Sequence, residues 1–348
     1  MVGTIHHTLP SFPEGLPTAP LVSVNLARLE SSDPSESEAF YTACKNLGFF
    51  YLDCTGSKLG EEIVQGAEQL HALQQVFFNL PAEEKERYGQ SMDKFYAYRY
   101  TELDIRDPNG VPLRTENYNL KKDDVLGNCP RLPCHPLIST NQPLFKSYVL
   151  NCRAAIDLML HTLNTHLQLA EGTLASLHRI DHLSGDHVRF TQAPPRPWDD
   201  KRISAGEHTD FGSITILFNW LGGLQIRRPD NDEWVYVRPV PGSAVVNLGD
   251  ALVKFTACIL RSNIHRVVPA PGPQAGLMRH SLVYFSRPEN EVIMKRLRGG
   301  LVDDQPHKEG EEEEEEINSH EWIMRRAYGD LRGIYTSKGL EPRGTPAA

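Results

Sequence analysis

The chain has 348 residues, 40% hydrophobic and 23% charged, enough apolar material for a sizeable core in one large domain or two average ones. Its formal charge of -9 argues against a nucleic-acid partner, because phosphate binding wants a basic surface. The longest apolar run, Ala244–Leu260, is interrupted by Asn247, Asp250 and Lys254, so no membrane span is expected.

Residues 1–20 carry four prolines and no apolar stretch of signal-peptide length, and are expected to form a ragged, flexible N-terminus. Leu21–Leu26 reads as a short opening strand. Ser35–Leu47 has apolar Phe40, Ala43, Cys44 and Leu47 at helical spacing, and Gly48 stops the helix before a second strand, Phe49–Leu52. A long helix is expected over 60–79, and Leu80-Pro81 opens a short one. Residues 90–145 are poorly patterned, with aromatics scattered among prolines and charges. Phe145–Leu169 is a strongly amphipathic helix, with Tyr148, Val149, Cys152, Ile156, Met159, Leu160, Leu163 and Leu167 on one face.

The texture then changes to short alternating runs broken by Gly and Pro: 187–191, 206–218, 223–227, 233–237, 244–247, 263–268 and 279–286. Many short strands with turns between them predict a sandwich or barrel. Glu311–Glu316 is a like-charge block, expected to be a solvated loop, and Ser319–Arg332 reads as a last amphipathic helix. With no internal repeat, the order predicts one α+β domain. Its parts are an N-terminal helix-rich region (21–175), a β-rich core (176–305), an acidic loop (306–318) and a C-terminal helix with tail (319–348). The six cysteines show no CxxC pairing and are expected to be free thiols in a reducing compartment, with cytoplasm as the default location.

The sharpest local feature is Glu207-His208-Thr209-Asp210. In a strand, residues two apart share a face, so His208 and Asp210 can reach one point while Thr209 faces away. His265, at the edge of a later strand, can supply a third ligand. Two histidines and one carboxylate on one face of an octahedron leave three positions open, as an oxygen-activating Fe(II) centre requires; a surface His–Asp hydrogen bond is the plainer alternative. Arg279 and Ser281 are again two apart on one strand face. An inward arginine in a β core is costly unless an anion meets it, and its planar fork suits a carboxylate. A structural salt bridge to an internal Asp or Glu would satisfy it equally.

Glu207–Leu217 closely resembles the iron motif of the isopenicillin N synthase-like 2-oxoglutarate/Fe(II) dioxygenases. So do Gly222-Gly223-Leu224-Gln225-Ile226, Trp234-Val235, Pro239-Val240-Pro241-Gly242, Val246–Asp250 and His265–Val268, in the family's order. Phe40, Cys44, Gly48-Phe49-Phe50, Phe77-Phe78, Leu80-Pro81 and Glu84-Lys85 are similar to the family's N-terminal helical cap. The resemblance covers roughly residues 21–340. It implies a double-stranded β-helix (jelly-roll) core, an iron ligand set of His208, Asp210 and His265, and Arg279 with Ser281 on the far carboxylate of 2-oxoglutarate. It also implies Fe(II), 2-oxoglutarate and dioxygen as cofactor and cosubstrates, and oxidative chemistry on a small organic molecule: hydroxylation, desaturation or epoxidation. Fungal small-molecule oxygenases are the nearest in pattern, which implies a setting in specialised metabolism.

Two departures stand out. Thr191-Gln192-Ala193 occupies the place of the family's usual Asn-x-Tyr, whose side chains help hold 2-oxoglutarate. Thr191 is the residue left there to bind it, and Arg189, on the same strand face, is expected to substitute in part or to reach the substrate. The run from His265 to Arg279 is also longer than in plant members, and Pro269, Pro271, Gly272 and Pro273 read as a hairpin insertion. Tyr118, in a segment that faces the metal in relatives, and Phe285 are expected on the substrate side. Trp198 reads as a loop anchor, and Cys129, Cys134 and His135 do not have the spacing of a zinc site. The competing readings are an iron oxidase needing no 2-oxoglutarate, a catalytically inactive ligand-binding jelly roll, and a zinc hydrolase on the same three ligands. The sequence carries no mark of oligomeric state.

Overall fold

Alternation of inward and outward side chains organises the chain into two facing sheets. In the computed structural model, which describes residues 9–89, 95–106, 112–197, 205–307 and 316–331, the strands are β1 (Ser23–Asn25), β2 (Phe49–Asp53), β3 (Ala97–Arg106), β4 (Pro112–Lys121), β5 (His187–Ala193) and β6 (Ala205–His208). They continue with β7 (Ile214–Asn219), β8 (Leu224–Arg227), β9 (Trp234–Tyr236), β10 (Ser243–Leu248), β11 (His265–Val267) and β12 (Arg279–Ser286). The larger sheet runs β1-β2-β10-β7-β12-β5-β4-β3 and the smaller β6-β11-β8-β9. This is the expected jelly roll. Trp198, Glu311–Glu315 and the tail beyond 331 lie outside the described residues.

Helices cover the outer face of the larger sheet. The Lys58–Phe78 helix starts where Ser57 Oγ accepts from the Gly60 N–H (3.0 Å), an N-cap typically contributing about 1 kcal/mol. It buries Ile63, Val64, Ala67, Leu70 and Phe77 in the same core as Phe145, Val149, Ile156 and Met159 of the Gln142–His166 helix. Gly66 sets how closely the two approach, since a Cβ there would stand 3.1 Å from the Tyr148 ring. From the sheet, Phe50, Val246, Ile216, Leu282 and Phe190 complete this core. Each such side chain, fully buried, contributes on the order of 1.5–3 kcal/mol before the entropy of ordering is subtracted. A smaller apolar cluster between the sheets, Phe49, Leu224, Ile226, Val235, Val237 and Val245, holds the smaller sheet against one end of the larger.

Three expectations change. The poorly patterned stretch contains the β3–β4 hairpin, which pairs onto β5 through β4, so the N-terminal region supplies strands to both edges of the larger sheet as well as a cap. Residues 9–20 are not ragged: Ala19 N–H donates to Tyr236 O (2.8 Å), Tyr236 N–H to Pro17 O (2.9 Å), and the Gln274 amide to Pro10 O (2.8 Å). The Pro269–Pro273 run is not a hairpin, because β11 and β12 belong to different sheets; it carries the chain across from one to the other through a 3-10 turn at Gly272–Gly276. The six cysteines are free thiols.

Candidate metal centre and cosubstrate site

Strand pairing brings the first three candidates together. β11 pairs antiparallel with β6 so that His265 lies directly opposite His208, and the two imidazole centroids are 4.3 Å apart. Asp210 follows β6, and its Oδ1 lies 3.9 Å from Nε2 of each histidine. One ligand atom from each of the three falls within 4.8 Å of the others, the one such grouping among the described residues.

The neighbours decide which atoms are left to bind. His208 Nδ1 lies 2.7 Å from Gly206 O and His265 Nδ1 3.1 Å from Asn263 O. A carbonyl only accepts, so each Nδ1 carries the proton and each Nε2 offers a lone pair to the centre. Asp210 Oδ2 accepts from Asn247 Nδ2 (2.7 Å) and Thr215 Oγ1 (2.8 Å), which leaves Oδ1 facing the histidines. Orientation of ligands by such outer partners is what a metal site needs. Burial alone would raise the Asp210 carboxyl, but His265, His208 and the Asn247 and Thr215 bonds outweigh it and hold it below the usual carboxylate range. Burial, reinforced by His208, pushes His265 down to about 4, so it stays neutral at pH 7. Neutral imidazole and ionised carboxylate are the forms that bind a cation. Thr209 faces away, as expected, and its hydroxyl donates to Asp250 Oδ2 (2.9 Å).

Thr215 and Asn247 lie on the larger sheet's inner face, and the register assigns the rest of that face. Asn247 pairs with Thr215, Thr215 with Phe285, Asn219 and Thr191 with Ser281, Arg189 with Val283, Asn117 with Thr191 and Asn119 with Arg189. Arg279 and Ser281 are therefore on the metal side of β12, both buried. Arg279 Nε donates to Gly222 O (2.8 Å). Among the described residues no carboxylate pairs with this guanidinium, and burial pulls it down to about 10. The structural salt bridge that could have explained it is absent there, while an incoming carboxylate would be well matched.

Thr191, Arg189 and Phe285 share this face, but the first two are already engaged by β4. Thr191 Oγ1 donates to Asn117 Oδ1 (2.8 Å) and Arg189 Nε to Asn119 Oδ1 (2.8 Å). Tyr118 does not belong to the site. Its register partner is Phe190, on the helix-covered face, where it is 3% exposed and its ring centroid is 4.9 Å from that of Phe77. Its neighbours Asn117 and Asn119 are the β4 residues on the metal side. Sequence reasoning missed these two, together with Asn247 and Thr215. The signal was available in the alternation, since Asn117 and Asn119 are the pair flanking Tyr118. Cys129 and His135 are engaged elsewhere, by Asp124 (3.2 Å) and Glu84 (2.8 Å) respectively.

Known proteins show the family and the fold of the chain. Residues 184–288 match the 2OG-Fe(II) oxygenase superfamily model, and residues 20–134 match the N-terminal model described as that of a non-haem dioxygenase in morphine synthesis. A 2-oxoglutarate-dependent dioxygenase of Aspergillus fumigatus is 34% identical over 315 residues, covering 84% of this chain and 81% of the relative. One of Dothideomycetidae sp. is 30% identical, covering 83% and 88%. Among solved structures, a 2OG-Fe(II) oxygenase family protein from Caulobacter crescentus has a TM-score of 0.71 at 22% identity, covering 91% of this chain and 100% of that one. A Neurospora crassa protein crystallised with α-ketoglutarate and 5-formyluracil has a TM-score of 0.70 at 22% identity, covering 90% and 97%. At these identities the structural likeness speaks for the fold.

Proposed function

The chain belongs to the 2-oxoglutarate/Fe(II) oxygenase superfamily, and on that premise we propose that His208, Asp210 and His265 hold its iron while Arg279 and Ser281 hold the far carboxylate of 2-oxoglutarate. It is an oxidoreductase that works with Fe(II), 2-oxoglutarate and dioxygen on a small organic molecule. The observation that carries the residue assignment is the disposition of the donor atoms: two Nε2 lone pairs and one Asp210 oxygen left facing a common point by bonds that occupy the other atoms of the same groups. That set suits Fe(II) and leaves coordination positions for a chelating cosubstrate and dioxygen.

When bound, the metal and 2-oxoglutarate supply the oxidising power, with succinate and carbon dioxide as the cosubstrate's products. The protein's own residues position and exclude. Gly206 O and Asn263 O fix the imidazole orientations. Asn247 and Thr215 keep Asp210 from rotating. Arg279, buried beneath Gly222 and Gly223, offers a fixed anchor for the cosubstrate's remote carboxylate, so that the other end is aimed at the metal. Asp210, Thr215, Asn247, Arg279 and Ser281 are themselves buried, which limits water around these groups.

The substrate class we infer is a small organic molecule of specialised metabolism, oxidised by hydroxylation, desaturation or epoxidation. Support comes from the resemblance of more than four-fifths of the chain to fungal dioxygenases, 84% and 83% of it being covered. Among the described residues no helix is long and apolar enough to cross a membrane. The reading is tested by incubating the iron-loaded protein with 2-oxoglutarate and air and quantifying succinate. Iron-dependent succinate that disappears in Asp210→Ala is expected. Iron binding without any succinate would instead favour the 2-oxoglutarate-independent oxidase or the inactive ligand-binding jelly roll.

A further inference from the structure

A second arginine-rich locus lies on the same inner face, beyond the cosubstrate anchor. Arg287 continues the alternation of Arg279, Ser281, Val283 and Phe285, immediately after β12. Its main chain is fixed, the N–H donating to Asp186 Oδ1 (2.7 Å). Its side chain is 5% exposed, yet Nε and Nη1 are buried and meet no hydrogen-bond acceptor. An unmet buried guanidinium is costly, and the fold goes out of its way to house this one. A Cβ on Gly185 would stand 2.7 Å from Arg287 Cδ and 2.9 Å from Nη1, and one on Gly212 would stand 2.9 Å from Cγ. Neither glycine has a positive φ; the requirement at Gly185 is space for the arginine, whereas at Gly212 the Ser286 carbonyl oxygen, 2.5 Å from such a Cβ, is the tighter neighbour.

Arg189 accompanies it from β5. Its guanidinium lies 5.0 Å from the Phe285 ring centroid, and Phe285 is stacked with His187 at 4.7 Å. Arg287 in turn lies 5.2 Å from the Phe95 ring. Burial, and after it the charge of Arg287, pulls Arg189 down to about 10. Among the described residues neither arginine forms an ion pair. Asp186, the nearest candidate for Arg287, already accepts from the Arg287 N–H and the Tyr284 hydroxyl (3.0 Å).

Charge counting gives the same direction. With a divalent ion and the 2-oxoglutarate dianion bound, those charges cancel. Asp210 and Asp186, the carboxylates whose charge reaches Arg189 and Arg287, then face three guanidiniums, Arg279, Arg189 and Arg287, which leaves one positive charge uncompensated.

We propose that Arg189 and Arg287 form a carboxylate-binding subsite for the substrate, which is therefore a small organic acid whose apolar body rests against Phe285, Phe95 and His187. The guanidinium fork fits a carboxylate, and the flanking rings suit an aromatic or alicyclic skeleton. This subsite presupposes the oxygenase reading given above and specifies its substrate.

The test uses the full chain, anaerobically, with Fe(II) and 2-oxoglutarate, and a set of six- to twelve-carbon aromatic and alicyclic carboxylic acids, each paired with its primary amide. Binding is read by calorimetry. At least one acid should bind tenfold or more tighter than its amide, the order of loss expected when a buried charged partner goes unmatched. Arg287→Gln and Arg189→Gln should each shrink that ratio several-fold, and Arg287→Lys should recover part of it, while the visible chelate band stays. No acid binding at all, acids binding no better than amides, or a ratio intact in both glutamine variants would each overturn the proposal. Because the acid–amide ratio is measured first on the wild type, an unstable variant does not decide the matter. A wild type that gives no chelate band would contradict the oxygenase reading; the acid–amide ratio on the same protein would still decide the subsite.

Discussion

Asn247, on the larger sheet, donates to Oδ2 of Asp210 at 2.7 Å, so the sheet opposite β6 and β11 fixes which carboxylate oxygen faces the two histidines. Asn247→Ala should leave the fold standing and weaken Fe(II) binding by roughly 10- to 100-fold, the usual cost of losing an outer partner of a metal ligand. A competition titration against a chelator measures it. Affinity equal to wild type would mean that Thr215 suffices alone.

Arg326 of the Ser319–Leu331 helix reaches Asp250 Oδ2 (2.6 Å). Asp250 is fully buried, accepts from Thr209 and Ser262, and its N–H donates to Asp210 O (2.8 Å). Burial raises the Asp250 carboxyl, and Arg326 is the strongest opposing influence. Arg326→Ala should cost about 2–3 kcal/mol at neutral pH, somewhat below the usual cost of orphaning a buried charge because Arg326 is itself partly exposed. A carboxyl raised further above its unfolded value favours the folded state only where it is protonated. The loss should therefore be larger at pH 7 than at pH 4. Urea titrations of wild type and variant at both values test this, and a loss independent of pH would count against it.

His178 is buried, donating from Nδ1 to Leu174 O (2.7 Å) and accepting at Nε2 from Ser213 Oγ (2.7 Å). Burial holds it down to about 4. A histidine depressed on folding contributes stability that is complete above its unfolded value near 6.5 and is lost as pH falls through the folded one. Metal-free protein should accordingly lose on the order of 3 kcal/mol from this residue between pH 6.5 and 4, and His178→Gln should flatten the slope in that window. An unchanged slope would show that other groups dominate it.

Tyr118 and Asn117 are neighbours in sequence with opposite expected phenotypes. Tyr118→Ala should cost roughly 3–5 kcal/mol by emptying the space beside Phe77, while Tyr118→Phe leaves the 2-oxoglutarate constant unchanged. Asn117→Ala should do the reverse, changing ligand constants with a stability cost near 1 kcal/mol. Paired melting and ligand titrations distinguish the two, and a ligand effect from Tyr118→Phe would place it back on the site.

These cases show where the sequence was readable. Strands β5, β7, β8, β9, β10 and β12 were legible because each buries apolar residues in a short run bounded by turns, against the helices for β5, β7, β10 and β12 and against the other sheet for β8 and β9. The grouping of His208, Asp210 and His265 was legible because His208 and Asp210 are local, and His265 needed only one further strand edge. The β3–β4 hairpin was not, since both its faces carry polar residues. One presents Asn117 and Asn119 to the site; the other buries Glu116, which takes hydrogen bonds from Lys85, Tyr98 and Gln192. Arg287 was hidden for another reason. The glycine that makes room for it, Gly185, is far from it in sequence, and nothing local distinguishes it from a strand-end surface arginine.

Arg279 is the proposed anchor of 2-oxoglutarate beside the iron. Under anaerobic conditions, Fe(II) and 2-oxoglutarate added to the apoprotein should produce the weak visible charge-transfer band of the chelate. Arg279→Ala should require at least ~30-fold more 2-oxoglutarate to reach half of it, as expected for removing a buried charge partner, and Arg279→Lys should restore only part. A wild-type band that titrates identically in Arg279→Ala would contradict the assignment, and iron binding with no band at any concentration would contradict the cosubstrate site as a whole.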